Sequence, residues 1–108
     1  MEKFRNRDMS YFPAFLEIQG KKALVVGGEA MAARRAKMAQ RAKARVTVIA
    51  ETLSNDFDDL TNFEHVPRGF IETDLDGAAI VFVAVNDKVI ELEVASKARR
   101  LGILVNVA

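Results

Sequence analysis

The stretch KKALVVGGEAMAARRA, residues 21–36, decides the fold of this chain. Its first part, Ala23–Val26, is a short apolar run with a β-branched pair, which predicts a buried strand. Gly27 and Gly28 interrupt the strand and permit a tight turn. From Ala30 onward the stretch is rich in Ala, Met, Arg and Lys, all strong helix formers. A strand, a glycine turn and a helix in this order aim backbone N–H groups at a phosphate.

The glycine turn is a variant of the dinucleotide fingerprint GxGxxG/A. Residues 27–32 match its first and last positions, and Glu29 replaces the middle glycine. At that position the backbone approaches the pyrophosphate, so Glu29 adds bulk and like charge there. The residues of the turn that would contact a cofactor are Gly27, Gly28, Glu29 and Ala30. The alternative is that the two glycines only make a tight strand-to-helix turn.

The composition is that of an ordinary globular protein. Of 108 residues, 50% are hydrophobic and 29% are charged, and no apolar run approaches the ~18 residues of a membrane span. The 16 Lys and Arg balance 15 Asp and Glu, which gives no global reason to expect a nucleic-acid or membrane partner. The sequence has no cysteine and no secretory signal, which fits a cytoplasmic location. We expect a polar lead-in over residues 1–10 and one domain over residues 11–108.

The segment YFPAFLEI, residues 11–18, is aromatic and apolar around Pro13, which argues against a central strand. We expect it to lie extended across the sheet edge or the core and to end at Gly20. An aromatic binding patch is the alternative interpretation.

The helix after the glycine turn is expected to run from about Ala30 to Lys43. Small or flexible apolar residues recur in it at helical spacing and predict a face that lies close to a sheet. These residues are Ala32, Ala36, Ala39, Met31, Met38 and Ala42. The opposite face is basic, and without interleaved aromatic residues we interpret it as a solvated face rather than a nucleic-acid surface.

A second strand is expected over residues 45–50, RVTVIA, and Glu51 follows it, 24 positions after Gly27. A carboxylate about 20 residues beyond the first glycine accepts hydrogen bonds from the ribose hydroxyls of NAD and disfavours NADP. A surface glutamate at the start of a loop is the alternative. Beyond it, Thr52 or Ser54 is expected to cap a short helix, whose aspartates we interpret as solvated charge rather than metal ligands.

The remaining strands are expected at residues 63–66, 78–85 and 103–107. The middle one, AAIVFVAV, is continuously apolar and belongs at the centre of a parallel sheet. The first contains the only histidine, His65, which we interpret as a packed or edge residue rather than a catalyst. Between them, residues 68–77 are expected to form a loop with room for one helical turn.

Asn86 and Asp87 end the central strand, where the loops of an open α/β sheet contact their ligands. Asn86 is a candidate partner for a ribose or a substrate, and Asp87 either joins this site or caps the next helix. That helix is expected from about Lys88 to Leu101 and stops at Gly102. Its apolar positions are Val89, Leu92, Val94, Ala95 and Ala98.

The alternation of strands and crossovers predicts an α/β fold. Right-handed connections give a Rossmann-like doubly wound parallel sheet of about five strands, in the order 3-2-1-4-5. A pocket is expected where the carboxyl ends of strands one, two, four and five converge. The residues at these ends are Gly27, Glu51, Asn86 and Ala108.

The combined pattern resembles the N-terminal NAD-binding domain of siroheme synthase and of the stand-alone precorrin-2 dehydrogenases. The resemblance covers about residues 11–107 and is carried by YFPAFLEIQGKKALVVGG, the AARRA helix, RVTVIAETLS, DLDGAAIVFVAVND and GILVNV. It implies NAD as the cofactor and a tetrapyrrole substrate, with precorrin-2 oxidised to sirohydrochlorin in siroheme and porphyrin biosynthesis. It also implies insertion of ferrous iron by some members, and a homodimer held together by a domain that follows.

The chain departs from the family pattern at four places. Glu29 stands where the family has the third glycine of a GGG turn, Val85 where Thr is usual, and Glu91 where an Asn commonly opens the helix. The family's general acid/base is an Asp that follows the segment matching GILVNV, whereas Ala108 follows Val107 here. Neither that Asp nor the family's dimerisation and substrate domain is among these 108 residues. We therefore expect no catalysis by the family mechanism from them alone.

Two functional hypotheses follow. In the first, the chain is the NAD-binding domain of a precorrin-2 dehydrogenase or siroheme synthase, inactive by itself. In the second, it is a non-enzymatic Rossmann-like module that acts by regulation or interaction, with Glu29 occluding the cofactor site. A weaker third is binding of another ligand, such as a tetrapyrrole, without redox chemistry.

Overall fold

The computed structural model describes residues 14–108, which form a parallel sheet flanked by helices. The strands are β1 (Lys22–Val26), β2 (Arg45–Ile49), β3 (Glu64–Val66), β4 (Ala78–Val83) and β5 (Leu104–Val107). The helices are α1 (Ala30–Arg41) and α2 (Lys88–Arg100), with short 3-10 helices at Asn55–Phe57 and Glu72–Leu75. The strand order is β3-β2-β1-β4-β5 and every pair is parallel. The predicted Rossmann-like fold and its strand order are confirmed.

The three inner strands end level with one another. Val26, the last residue of β1, pairs with Ile49 of β2 on one side and with Val83 of β4 on the other. Leu24 and Val25 of β1 are fully buried, as expected for the central strand of a sheet covered on both faces. The turn after β1 is therefore fixed at the middle of the carboxyl edge.

The two helices cover opposite faces of the sheet. The layer under α1 includes Val25, Val48 and Phe82, which contact the alanines of the helix. The layer under α2 includes Leu24 and Val81, together with the side chains of the helix itself. Because alternate residues of each strand enter alternate layers, the sheet is doubly wound.

Five apolar side chains that were predicted to lie on the packed helix faces are exposed instead. One is Ala42, which lies beyond the end of α1 as its C-cap. Met31 and Met38 of α1 are 42% and 44% exposed, and Val89 and Leu92 of α2 are 75% and 64% exposed. The reason is that both helices approach the sheet through short side chains, which leaves the longer ones beside the contact. The buried helix residues are Ala32, Ala33, Ala36 and Ala39 in α1, and Val94, Ala95 and Ala98 in α2.

Helix α1 ends at Arg41, earlier than the predicted limit at Lys43. Lys43 has a φ of +66°, in the left-handed region that a helix cannot contain. The N–H of Ala44 donates to the carbonyl of Ala39 at 3.1 Å, as in a helix-ending motif. Helix α2 ends before Gly102, as predicted. Neither helix is long and apolar enough to cross a membrane.

The segment before β1 only partly follows the prediction. The expected lead-in at residues 1–10, and residues 11–13, lie outside the described residues. Residues 14–17 are exposed, Phe15 completely, so the expectation that they lie across the core is wrong. Ile18 does pack against the layer under α1. Its carbonyl accepts the N–H of Lys21 at 3.0 Å in the turn that leads into β1.

Candidate functional site

Gly27 and Gly28 lie in contact with the backbone that follows β4 and with the loop that follows β2. A Cβ on Gly27 would overlap the carbonyl oxygen of Ala84, and a Cβ on Gly28 would overlap that of Thr52. Gly27 also has a φ of +138°, which side chains of L-residues rarely permit. The N–H of Ala84 donates to the carbonyl of Val26 at 2.9 Å and holds the backbone after β4 beside the end of β1. Backbone packing therefore requires both glycines, as the tight-turn interpretation proposed.

Glu29 is the N-cap residue of α1. Its φ of −107° and ψ of −168° are extended values that any residue adopts, so the backbone does not need glycine here. Its carbonyl accepts the N–H of Ala33 at 3.0 Å, while its side chain makes no capping hydrogen bond. The first N–H groups of α1 are consequently uncapped and available to an anionic ligand. The exposed Glu29 carboxylate lies beside the same helix end.

Among the described residues, 14–108, two cavities adjoin the glycine turn. The larger, of about 470 Å³, lies at the ends of β1, β4 and β5. It is lined mainly by backbone and small side chains, and Glu29 is the only titratable side chain in that lining. The lining residues are Gly27, Gly28, Glu29, Ala30, Met31, Ala84, Val85, Asn86 and Ala108.

The smaller cavity, of about 330 Å³, lies at the ends of β1 and β2. It shares the glycine turn, Glu29 and Val85 with the larger cavity, so the two meet there. Its lining carries both charge signs, from Glu51 on one loop and Arg68 on another. The remaining lining residues are Val26, Ile49, Ala50, Thr52, Gly69, Phe70 and Ile90.

The sequence predicted one pocket, and the described residues form two adjoining cavities that share the glycine turn. The structure brings nearly all of the predicted site residues to these cavities. Those at the larger cavity are Gly27, Gly28, Glu29, Ala30 and Asn86, and Glu51 lies at the smaller one.

Asp87 caps the second helix, which is one of the two roles that the sequence left open for it. Its Oδ1 accepts the N–H of Val89 at 2.9 Å and that of Ile90 at 3.3 Å, which makes it the N-cap of α2. It lines neither cavity. The capping interpretation of Asp87 is confirmed.

The loop after β3 supplies Arg68, Gly69 and Phe70 to the smaller cavity, although none of these residues was predicted to belong to the site. The signal was available in the predicted strand order, since β3 lies parallel to β2 and therefore ends at the same edge. The observed register places Val66 opposite Ile49 and confirms this placement.

Arg68 is held by a bidentate ion pair with Asp74. Its Nη1 donates to Oδ2 at 2.9 Å and its Nη2 donates to Oδ1 at 2.8 Å. The Asp74 side chain is only 8% exposed, and its Oδ2 also accepts the N–H of Ile71 at 2.9 Å. The hydrogen bonds from Arg68 hold the pKa of Asp74 below its usual value, and the same pair raises the pKa of Arg68.

Lys22 connects this loop to the central strand. Its Nζ donates to the backbone carbonyl of Asp74 at 2.8 Å and to that of Asp76 at 2.9 Å. The 3-10 helix that carries Asp74 is therefore attached at its backbone to β1 as well as through its carboxylate to Arg68.

Other predicted polar residues have structural partners. His65 Nε2 lies 2.8 Å from the carbonyl oxygen of Ala50, as suits a residue on an edge strand. Ser54 caps the first 3-10 helix, and Asp59 pairs with Lys37 at 2.8 Å. Within residues 14–108, no group of three or more His, Cys, Asp or Glu side chains is placed to hold a metal ion.

The fold and the cavities together define a Rossmann-like NAD(P)-binding domain. A family model described as "Putative NAD(P)-binding" matches residues 14–108, and the chain belongs to this family. Its relatives include the siroheme synthase of Nitrosomonas eutropha, 37% identical over 92% of this chain, and that of Ectopseudomonas mendocina, 33% identical over 92%. The solved structure of SirC, a precorrin-2 dehydrogenase, matches 90% of the chain with 29% identity and a TM-score of 0.78.

These comparisons confirm the resemblance to the NAD-binding domain of siroheme synthases and precorrin-2 dehydrogenases. The chain spans 22% of the length of each of these two siroheme synthases and 50% of the SirC chain. What the chain shares with all three is therefore the NAD(P)-binding domain.

Proposed function

We propose that this domain binds NAD across the carboxyl edge of its sheet, as the cofactor domain of a precorrin-2 dehydrogenase in siroheme biosynthesis. The main support is the pair of cavities that meet at the glycine turn. A dinucleotide has two nucleotide halves joined by a pyrophosphate, and in doubly wound sheets it binds where the strand order reverses. In this sheet the reversal lies between β1 and β4, and the turn after β1 lies there.

Each part of the cofactor has a candidate partner in the chain. The uncapped N–H groups of α1 would bind the pyrophosphate. In the smaller cavity Glu51 would accept the hydroxyls of the adenosine ribose, which favours NAD over NADP. In the larger cavity Asn86 would contact the other ribose or the substrate. The bound cofactor would supply a hydride acceptor for the oxidation of a tetrapyrrole.

Glu29 is the residue of this site least suited to a phosphate. Its side chain is exposed and can turn away from a ligand, so its bulk, although it lines both cavities, hinders the pyrophosphate less than its charge does. Its negative charge stays close to the helix N-terminus and competes with the pyrophosphate for the same positive potential. We therefore expect NAD binding that is weakened by Glu29 rather than abolished.

We further propose that these 108 residues bind the cofactor without oxidising precorrin-2. A general acid or base must lie within hydrogen-bond distance of the proton that it transfers, and the lining of the larger cavity offers only Glu29. The resemblance assigns this role to an Asp that follows the GILVNV segment, and that Asp is not among these 108 residues. The tetrapyrrole substrate and the homodimer are further parts of this proposal that the resemblance implies, and a cytoplasmic location is a part that the composition favours.

The second candidate function is a non-enzymatic regulatory or interaction module. The observation that favours it is again Glu29, which lines both cavities where they meet and where the pyrophosphate would bind. In this case the glycines would be retained because backbone packing requires them.

Calorimetric titration of the 108-residue chain with NAD and with NADP distinguishes these functions. The cofactor-domain proposal predicts saturable binding of one NAD per chain, tighter than binding of NADP. A sample that is folded by circular dichroism but binds neither nucleotide would overturn it in favour of the interaction module. With precorrin-2 and NAD present, no NADH should form, and steady turnover would refute the proposed lack of catalysis.

A further inference from the structure

The smaller cavity contains a cation that conflicts with a preference for NAD. Arg68 lines this cavity together with Glu51. In dinucleotide-binding folds an acidic residue binds the 2′-hydroxyl of NAD, whereas a nearby arginine accommodates the 2′-phosphate of NADP. The Arg68 side chain is 44% exposed, so burial does not prevent it from moving toward a ligand. Another contact must therefore determine whether the Glu51 carboxylate or the Arg68 guanidinium faces the ribose.

Asp74 is the residue that restrains Arg68. It lines neither cavity, and its carboxylate binds both terminal nitrogens of the guanidinium at 2.8 and 2.9 Å. Its side chain is 8% exposed, and its backbone is tied to β1 by Lys22 at 2.8 Å. A bidentate pair of this kind fixes the orientation of a guanidinium as well as its position.

The same contacts shape the wall of the cavity. The Nη1 of Arg68 also donates to the carbonyl of Gly69 at 2.9 Å, and the N–H of Ile71 donates to Asp74 at 2.9 Å. Phe70, between these two anchors, packs against the core layer under α2 and lines the cavity. One carboxylate outside the cavity therefore anchors the loop at two points, Arg68 and Ile71, on either side of Phe70.

We propose that Asp74 is a positioning residue that sets the cofactor preference of this domain, an inference that rests on the proposed function. By keeping Arg68 in the ion pair, Asp74 neutralises the guanidinium and keeps it from binding the ligand. Glu51 then dominates the potential at the adenosine ribose, and the cavity takes a ribose with a free 2′-hydroxyl. Released from Asp74, Arg68 would pair with a 2′-phosphate instead.

The test compares dissociation constants for NAD and NADP in the wild type and in Asp74→Asn. The ratio of the NADP constant to the NAD constant should fall by roughly tenfold in the variant, the value of one charge-assisted hydrogen bond. The pair 5′-AMP and adenosine 2′,5′-bisphosphate should show the same change, because only the 2′ substituent differs. A residue that merely stabilised the fold would weaken both ligands of a pair alike.

Two further variants identify the cause. Asp76→Asn removes the same charge from an exposed position two residues away and should leave the ratio unchanged. The double variant Asp74→Asn with Arg68→Gln should lose the gain in NADP affinity, because the released cation is then missing. A gain that persists in the double variant would contradict the proposed role of Arg68.

The outcomes separate this inference from the proposed function. If the wild type binds NAD and a folded Asp74→Asn variant keeps the same ratio, the role of Asp74 is refuted while the proposed function stands. If the wild type binds neither nucleotide, both fail. Should Asp74→Asn not fold, Arg68→Lys gives the test at an exposed position, since lysine cannot form the bidentate pair. Its ratio should also fall, and an unchanged ratio would overturn the inference.

Discussion

The two cavities at the carboxyl edge are built by different means. The larger one is bounded chiefly by main chain and small side chains, around a glycine turn that backbone packing dictates. The smaller one is lined in part by a loop that the ion pair between Arg68 and Asp74 ties together. Backbone packing therefore determines where a dinucleotide can lie, and side-chain charge determines which dinucleotide fits. Substitutions in the glycine turn should mainly affect folding. Substitutions of the charged residues should also change the affinity for a dinucleotide and the preference between NAD and NADP.

The largest effect is expected from Gly27→Ala. The new Cβ would overlap the Ala84 carbonyl oxygen at a φ of +138°, so the free energy of unfolding should fall by about 3 kcal/mol or more. Urea unfolding followed by circular dichroism measures the change. Gly69→Ala is the matched control, because open space surrounds that position, and it should stay within about 0.5 kcal/mol of the wild type. Equal losses in the two variants would show that the glycine turn is not special.

The second effect is a loss of stability when the ion pair between Arg68 and Asp74 is removed. Asp74→Asn should lower the free energy of unfolding at pH 7 by about 2 kcal/mol, since hydrogen bonds between charged groups are lost. The same urea titrations detect it, with Asp76→Asn as the control of equal charge. A loss no larger in Asp74→Asn than in the control would mean that the ion pair does not stabilise the loop.

This stability difference should depend on pH. Because the folded-state pKa of Asp74 lies below its usual value, its contribution is fully present above about pH 4 and is lost as the pH falls through the folded-state pKa. The gap between wild type and Asp74→Asn should therefore be constant from pH 7 to about pH 5 and shrink below about pH 4. A gap that widens on acidification would contradict the lowered pKa.

The third effect is on affinity. Glu51→Gln should weaken NAD binding about fivefold and NADP binding less, because only the carboxylate accepts both ribose hydroxyls well. Calorimetric titration provides the measurement. Glu93→Gln, on α2 and outside both cavities, removes the same charge and should change neither affinity. If Glu51→Gln also changes neither, Glu51 is an ordinary surface glutamate.

The smallest effect is expected at Glu29, and it is a gain. Glu29→Gln should strengthen NAD binding about two- to fivefold, the value of one charge at a helix N-terminus. Glu29→Gly should match or exceed it by also removing bulk. Calorimetry on both variants separates charge from size. No gain in either folded variant would remove Glu29 as an obstacle to phosphate.

The sequence was sufficient for the sheet because apolar runs and turn residues mark the strands directly. The continuous apolar run of β4 predicted a central position, and the glycine pair marked the end of β1. It was less reliable for helix faces. Periodicity cannot tell which side of a stripe touches the sheet, so Met31 and Met38 were placed on the buried side although they are exposed. The left-handed conformation of Lys43 has no sequence signal, because lysine does not favour it.

Residues of the candidate site that directly follow a strand could be predicted from the sequence. Glu51 and Asn86 follow strands directly and were found. Arg68 and Asp74 were not, because their contact depends on how an irregular loop folds between two strands. The same limit applies to Asp87, where sequence left two roles open and only the hydrogen bonds to Val89 and Ile90 chose between them.

The most direct test of the central claim is an NMR titration of backbone amide shifts in the isotope-labelled chain with NAD. If one dinucleotide occupies both cavities, the amides of Glu51 and Arg68 in one and of Asn86 in the other should shift together with those of Ala30 and Met31 at the start of α1. All should report a single dissociation constant. Shifts confined to one cavity at saturating NAD, or a folded chain without shifts at the glycine turn, would contradict the claim.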